Sequence, residues 1–354
     1  MSFTIAIQPD SYGPRDASSP IWTRALREAG CQVREVDVRR ADILDQLKGC
    51  HGFMWRHNHT PEARQIARRL LPVLERDLGL AVYPDQNTCW HFDDKIAQRF
   101  LLEAAGIPIP RTWIWFDEDL ALGWARGASY PMVIKLWGGA GSTNVRLVRT
   151  FGEAKEWIRL LFGPGLYGLD AASINPWRRT GRIIKGAARA VARGRPLHEA
   201  FSRRPYWELH RGYVLLQEFL PGNDFDTRVT VVGHRAFAYR RFNRPDDFRA
   251  SGSGNFDPDP SKIDIETVHL AFRVAERLRT QSVAIDGLRR GEERVVSEIS
   301  YAYVTWMVHS CPGHWEKEGD RLTWVAGQMY PEEAHAADFL ARLRSKHGDG
   351  TGPR

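Results

Sequence analysis

Residues 130–137 read Tyr-Pro-Met-Val-Ile-Lys-Leu-Trp and run directly into Gly138-Gly139-Ala140-Gly141-Ser142-Thr143-Asn144. An apolar strand of this kind delivers the ammonium group of Lys135 into a loop rich in backbone N–H donors. Lysine offsets phosphate charge, and glycines let main-chain amides approach a ligand because no Cβ intervenes. The order of the parts excludes a Walker A loop, in which the lysine follows the glycines. On these residues alone two readings stand: a phosphate-holding loop of another kind, or a glycine-rich hairpin turn with an incidental lysine.

At 354 residues, with 43% apolar content and 13 Trp, the chain can fill the cores of two or three domains. Cys31, Cys50, Cys89 and Cys311 are scattered, without Cys-x-x-Cys or Cys/His ligand spacing, which fits free thiols of a reducing cytoplasm. The first residues lack a basic region followed by an apolar run of signal length, and no uncharged apolar stretch is long enough to span a bilayer. A cytoplasmic location is expected. The net charge of +7 is concentrated: residues 177–204 hold nine Lys or Arg against Glu199 alone, a local +8 that leaves −1 for the rest. Ile183, Ile184, Ala187, Ala188, Val191 and Ala192 fall at helical spacing between these arginines. The stretch reads as an amphipathic helix that is simply solvated, lies on an anionic membrane surface, or holds an anionic macromolecule. Nucleic acid is disfavoured as a partner, since aromatic interleaving and known motifs are missing.

Strands are expected at 3–7, 32–36 and 52–55, with helices at 19–29 and 42–47. This alternation predicts a small parallel α/β domain with ligand groups at the carboxyl ends of its strands. Arg56, at such an end, is a candidate anchor for an anionic substrate group. Beyond a helix over 62–78 comes a second one from Asp93 that stops at Gly106, then extended Ile107-Pro108-Ile109-Pro110. A strand at 111–115, a helix at 117–125, the lysine strand at 131–136, its return strand at 143–148 and a helix at 152–162 form a second unit. After the basic stretch, an apolar strand at 213–219 leads into an antiparallel pattern: 227–232, 236–242, a helix at 264–278, then 282–286 and 294–299. The expected fold class is α/β and α+β. Its expected units are an N-terminal α/β domain (1–88), a lid subdomain (89–212) with the basic insertion 163–212, a catalytic subdomain (213–330), and a C-terminal helix and tail (331–354).

Several residues carry candidate chemistry. Gln217, Glu218, Phe219 and Leu220 end an apolar strand and can present edge donors and acceptors to a nucleobase, or be only a strand end. Asp226 and Arg228 share a strand face and suit a ribose hydroxyl and a phosphate, or an ion pair with each other. Asp286 and Glu298 each end an apolar strand, and the short connection between these strands makes them neighbours. Two carboxylates so placed repel unless protonated or bridged by a cation, and hard oxygen ligands near phosphate point to Mg²⁺. Arg241, Arg249 and the run Ser251-Gly252-Ser253-Gly254-Asn255 suit a transferring phosphoryl group or an acyl phosphate, or form a polar hairpin loop.

Taken in order, these pieces resemble the ATP-grasp superfamily, most closely its glutathione synthetase and ribosomal-protein glutamate-ligase branch. The resemblance rests on Asp94-Lys95, Gly106-Ile107-Pro108-Ile109-Pro110, Val133-Ile134-Lys135 with its glycine loop, Gln217-Glu218-Phe219-Leu220, Asp226-Thr227-Arg228, Phe248-Arg249-Ala250-Ser251, Asp286 and Glu298-Ile299-Ser300, across residues 80–305. It implies Lys95 and Lys135 as phosphate lysines and residues 138–142, including Gly138, Gly139, Gly141 and Ser142, as a phosphate lid. It further implies Glu218 to Leu220 as an adenine hinge, Asp226 as a ribose ligand and Arg228 as a γ-phosphate contact. Asp286 and Glu298 would hold Mg²⁺, and Arg249 would steady an acyl phosphate. Two positions depart from the family pattern: Ser300 stands where Glu-x-Asn usually places asparagine, and Ser251 where Arg-x-Asn does. Serine still offers a neutral oxygen to a metal.

The function these residues imply is an Mg·ATP-dependent carboxylate–amine ligase working through an acyl phosphate, with ATP and Mg²⁺ (or Mn²⁺) as cofactors. Its substrate would be a small molecule, peptide or glycan bearing a carboxylate, joined to an amine acceptor. Residues 177–204 would hold a large or anionic acceptor or a membrane surface. The alternatives are a kinase of the same fold acting on a hydroxyl, and a nucleotide-sensing scaffold with a degraded site.

Overall fold

The computed structural model describes residues 2–139, 144–167, 208–245, 247–250, 252 and 254–348. The basic stretch 177–204, and Gly141, Ser142 and Ser251, lie outside them.

The chain opens with β1 (Thr4–Ile7), α1 (Ser19–Glu28), β2 (Gln32–Glu35), α2 (Ile43–Gln46), β3 (Gly52–Met54), α3 (Pro61–Pro72) and β4 (Ala81–Tyr83). The four strands form a parallel sheet in the order β2-β1-β3-β4, with Ile5 opposite Val33 and Phe53 opposite Val82. Side chains alternate across a strand, so each face of this sheet needs a cover. Ala6, Phe53 and Val82 pack with Ala67, Leu71 and Leu74 on one side. On the other, Ile5, Ile7, Met54 and Tyr83 pack with Trp22 and Leu26 of α1 and with Phe339, Leu340 and Leu343. Those last three belong to the C-terminal helix, which therefore completes the core of the first unit.

Helices α4 (Gln86–Cys89) and α5 (Lys95–Ala104) lead on to β5 (Thr112–Trp115), α6 (Glu118–Arg126), β6 (Met132–Lys135), β7 (Val145–Val148), α7 (Phe151–Phe162), the short pair β8 (Leu166–Tyr167) and β9 (Leu209–His210), and β10 (Val214–Glu218). Side-chain oxygens of Asp94, Asp117 and Thr150 cap α5, α6 and α7 by accepting from free amides of the first turn. The antiparallel sheet β5-β10-β6-β7 packs one face, including Ile134, Val148, Val214 and Leu216, under α6 and α7. Its other face carries Val133, Lys135 and Gln217.

The third unit contains β11 (Phe225–Val232), β12 (Arg235–Phe242), β13 (Phe256–Asp257), α8 (Ile265–Leu278), β14 (Ser282–Arg290), β15 (Glu293–Ser300), α9 (Thr305–His309), β16 (Gly313–Glu318), β17 (Arg321–Ala326) and α10 (Pro331–Gly348). Its sheet runs β15-β14-β11-β12-β16-β17, with β13 against β12. Val229, Val231, Ala236, Ala238, Val283, Ile285 and Ile299 pack under α8. Gly287 permits that approach, because a Cβ there would lie 2.6 Å from Thr267 Cγ2. The alternate residues Asp226, Arg228, Arg241, Asp286 and Glu298 point the other way, into a cleft between this sheet and the β5–β10 sheet. The residue pattern predicts β14 and β15 as shorter strands, yet pairing continues through Arg290 and Glu293. The hairpin β16–β17 lies in a stretch without a sequence expectation.

Candidate functional site

The floor of the cleft is a ladder of charged side chains set by strand register. Arg228 stands opposite Asp286, and Asp226 opposite Arg241. Arg228 donates to both oxygens of Asp286 at 2.7 and 2.8 Å, and Arg241 to both of Asp226 at 2.7 and 2.6 Å. Arg241 also lies 2.8 Å from Asp286 Oδ2, which joins the two pairs. Asp226 and Arg228, two residues apart on one strand, thus pair across the sheet rather than with each other. Burial pushes the Asp286 carboxyl up, but Arg228 and Arg241 outweigh it and leave the group well below the usual carboxylate range. For Asp226, burial prevails over Arg241 and the shift is upward. With its oxygens accepting from Arg241, Asp226 lines the cleft as a carboxylate whose charge is shared with a guanidinium.

Asp286 and Glu298 are direct cross-strand partners, with an irregularity of the ladder just beyond Asp286. Glu298 is answered from above by Lys95 Nζ at 3.2 Å. A lysine in the first turn of a helix opposes the helix dipole, so Lys95 needs its carboxylate. Burial pulls the Lys95 pKa down, and Glu298 and Asp93 more than restore it. Lys95 Nζ also donates to Gly139 O at 3.2 Å, while Gly139 N donates to Asp93 Oδ1 at 2.8 Å. Asn144 Nδ2 donates to Gly138 O at 2.6 Å. Both described glycines of the loop are therefore pinned at its root.

Lys135 differs from Lys95. It makes no ion pair among the described residues, and burial, with Lys95 adding to it, lowers its pKa to about 8 against the pull of Glu298. It lines a cavity of about 620 Å³ together with Val133, Leu147, Leu288, Phe219 and Leu220. Gln217 Nε2 donates to Thr112 Oγ1 at 2.9 Å. The Glu218 carboxylate accepts from Arg111 N at 2.7 Å and from Arg290 Nη1 at 3.0 Å. The Glu218 side chain thus ties the end of β10 to Arg111 and Arg290 while lining the same cavity. Arg249 closes the cavity from the opposite side, paired with Asp247 at 2.5 Å, while Phe248 packs edge-on against Phe219 at 5.7 Å.

Arg56 is not placed for a substrate. It is 5% exposed, donates to Asp16 O at 2.6 Å and to Tyr303 O, and stacks 4.1 Å from the Tyr12 ring centroid. Its bonds to Asp16 lie within the first unit, and the one to Tyr303 O ties that unit to the third. The neighbouring His57 is enclosed by Phe92 and Tyr301, and burial lowers its pKa to about 3.

Among the described residues, no cluster of three or more His, Cys, Asp or Glu can hold a metal unaided. Asp286 and Glu298 supply two hard carboxylates in register. Ser300, opposite Ala284, donates its hydroxyl to Ala302 O at 2.7 Å and keeps an oxygen lone pair for a metal. That set fits a Mg²⁺ ion that arrives with phosphate and water oxygens of its own.

Sequence reading missed the apolar walls Val133, Leu147 and Leu288, and also Asp93. Val133 is recoverable, since it lies two residues before Lys135 and so shares its face. Leu288 is recoverable in the same way, since it lies two residues beyond Asp286 on β14 and the extra residue of the irregularity falls on β15.

No family model matches the chain. Among curated proteins, N5-carboxyaminoimidazole ribonucleotide synthase of Mycobacterium tuberculosis (strain ATCC 25618 / H37Rv) is 28% identical over 129 residues, which are 36% of this chain and 28% of that protein. Alpha-aminoadipate–LysW ligase LysX of Saccharolobus solfataricus is 30% identical over 90 residues, 24% of this chain and 33% of that one. The chain thus spans about a third or less of the length of the curated relatives it matches. Solved structures match over nearly all of it. N5-carboxyaminoimidazole ribonucleotide synthetase from Thermotoga maritima has a TM-score of 0.58 at 15% identity, covering 96% of this chain and 76% of that one. D-cycloserine synthetase DcsG gives 0.57 at 15%, covering 96% and 99%. A RimK domain ATP-grasp protein from Sphaerobacter thermophilus gives 0.53 at 17%, again over 96% and 99%. Along nearly its whole length the chain thus has a fold similar to that of the RimK domain ATP-grasp protein and of these two synthetases.

Proposed function

We propose that the protein is a Mg·ATP-dependent carboxylate–amine ligase. The observation that carries this reading is Lys135, an ammonium with no ion pair among the described residues, lining the same cavity as the opposed carboxylates Asp286 and Glu298. A desolvated cation without a counter-ion is costly unless a ligand supplies one, and phosphate does. Two matched relatives bear the names of a synthase and a ligase, which favours bond formation over simple phosphorylation.

In the proposed reaction a carboxylate oxygen of the acid substrate attacks the γ-phosphorus, the bond to the bridging oxygen breaks, and ADP leaves. An amine nitrogen then attacks the acyl carbon, the C–O bond to phosphate breaks, phosphate departs and the amine gives up a proton. Lys135 and Lys95 offset charge on the phosphates; Val133, Leu147 and Leu288 hold the base. Arg228 and Arg241 keep Asp286 ionised and oriented, and Arg249 steadies the acyl phosphate. Asp286, Glu298 and Ser300 would hold Mg²⁺, which when bound would add further charge neutralisation. Positioning and electrostatics suffice for such chemistry without a protein nucleophile. For the basic stretch 177–204, the proposal is a hold on a large or anionic acceptor.

The test is product analysis with ATP and a panel of carboxylate and amine substrates. A ligase yields ADP, free phosphate and an amide only when both substrates are present. Phosphate retained on a hydroxyl product would overturn the ligase reading in favour of a kinase.

A further inference from the structure

Among the described residues β15 is the outermost strand of its sheet, so the main-chain groups on its outer side have no described strand to pair with. Other groups take that place. Pro108 O accepts from Val296 N at 2.8 Å. Further along, the carboxamide of Gln98 meets Ile299 on both counts: Ile299 N donates to Gln98 Oε1 at 3.3 Å, and Gln98 Nε2 donates to Ile299 O at 2.9 Å. The same Nε2 donates to His91 O at 3.1 Å. One side chain does here what one residue of a neighbouring strand would do. Only one amide orientation satisfies all three bonds, since Ile299 O and His91 O both need a donor.

Gln98 is 3% exposed and lies on α5, one turn after Lys95. Ile299 lies between Glu298 and Ser300. The amide therefore grips the backbone that aims both of these residues, from the same helix whose first residue pairs with Glu298 at 3.2 Å.

We propose that Gln98 is a positioning residue: its carboxamide locks α5 to the edge of β15 and thereby sets Lys95 against Glu298, and Glu298 against Asp286, in the geometry that receives metal-bound nucleotide. This rests on the nucleotide site proposed above. A merely space-filling role needs the volume of the side chain and not its amide. The two can be separated, because Gln98→Met keeps the volume, while Gln98→Glu keeps the size and the bond from Ile299 N but turns an oxygen toward Ile299 O and His91 O.

The experiment is calorimetric titration of the full chain with ADP, once in excess Mg²⁺ and once in excess EDTA, with thermal unfolding as a check on folding. Loss of an outer support of a metal site costs on the order of 10- to 100-fold in metal affinity. Both variants are therefore expected to lose most of the Mg²⁺-dependent gain in ADP affinity, while metal-free ADP binding stays close to wild type. A wild-type Mg²⁺-dependent gain in either folded variant would overturn the proposal, and Gln98→Glu, with one bond retained, carries the test if Gln98→Met does not fold. Wild-type protein that binds no ADP under either condition would overturn the nucleotide reading itself, a different failure from the first.

Discussion

Asp286 and Glu298 face each other across two adjacent strands, yet each is held by different cations: Asp286 by Arg228 and Arg241 from the floor, Glu298 by Lys95 from α5. Their mutual repulsion is relieved from two sides, one almost fully buried and one partly exposed.

The two carboxylates should therefore respond differently to neutralisation. Asp286→Asn leaves two guanidinium groups converging in a buried site and should cost about 3–5 kcal/mol of stability. Glu298→Gln removes a partly exposed partner of the buried Lys95, which keeps Asp93 nearby, and should cost less, about 1–3 kcal/mol. Both should lower ATP turnover severely. Urea unfolding together with ADP release separates the two effects; equal stability losses would contradict the burial difference.

Lys135→Met should weaken MgATP binding by roughly 10- to 100-fold, since a hydrogen bond to a charged group is worth about 1.5–3 kcal/mol. The same change should leave the melting temperature unaltered or raise it, because it removes a charge whose burial outweighs the pull of Glu298 and Asp286 in the free protein. A clear fall in melting temperature would mean that Lys135 is a structural cation.

The pH dependence follows from the Lys135 pKa of about 8. In the free protein its charge is lost as pH rises through that value, so ATP affinity should decline above pH 8, with proton uptake on binding. For stability the sign is opposite. The folded pKa lies below that of an unfolded lysine, so between about pH 8 and 10.4 the unfolded chain holds more protons and the penalty from Lys135 fades as pH rises. The wild type should gain on Lys135→Met across this window when melting temperatures are compared.

Gly139 has φ of +119°, and a Cβ there would run into the Asn144 amide. Gly139→Ala should cost on the order of 1–3 kcal/mol of local strain and loosen the root of the loop. Reduced ADP affinity with an intact fold is the expected calorimetric result; unchanged affinity would separate the loop root from nucleotide binding.

Much of this was legible in the residues. The period-two alternation on β6, β11 and β14 places Lys135, Arg228 and Asp286 on one side of their strands, and the short turn after Arg290 makes Asp286 and Glu298 neighbours. What escaped was the assignment of partners. Glu218 reads as a base-edge group or a mere strand end, with no hint that Arg290, 72 residues away, reaches it; Arg56 reads as a substrate anchor until Tyr303, 247 residues away, accepts from its guanidinium. Strand direction and face are local properties of a sequence, whereas the supply of compensating charge is decided by contacts between distant units.

The C-terminal helix has a consequence for biosynthesis. Phe339, Leu340 and Leu343 cover Ile5, Ile7 and Trp22, so during synthesis these three side chains stay without that cover until α10 has left the ribosome. The β1–β4 unit is thus sealed only after the two units that follow it have been made, and until then it exposes apolar surface of the kind that favours aggregation.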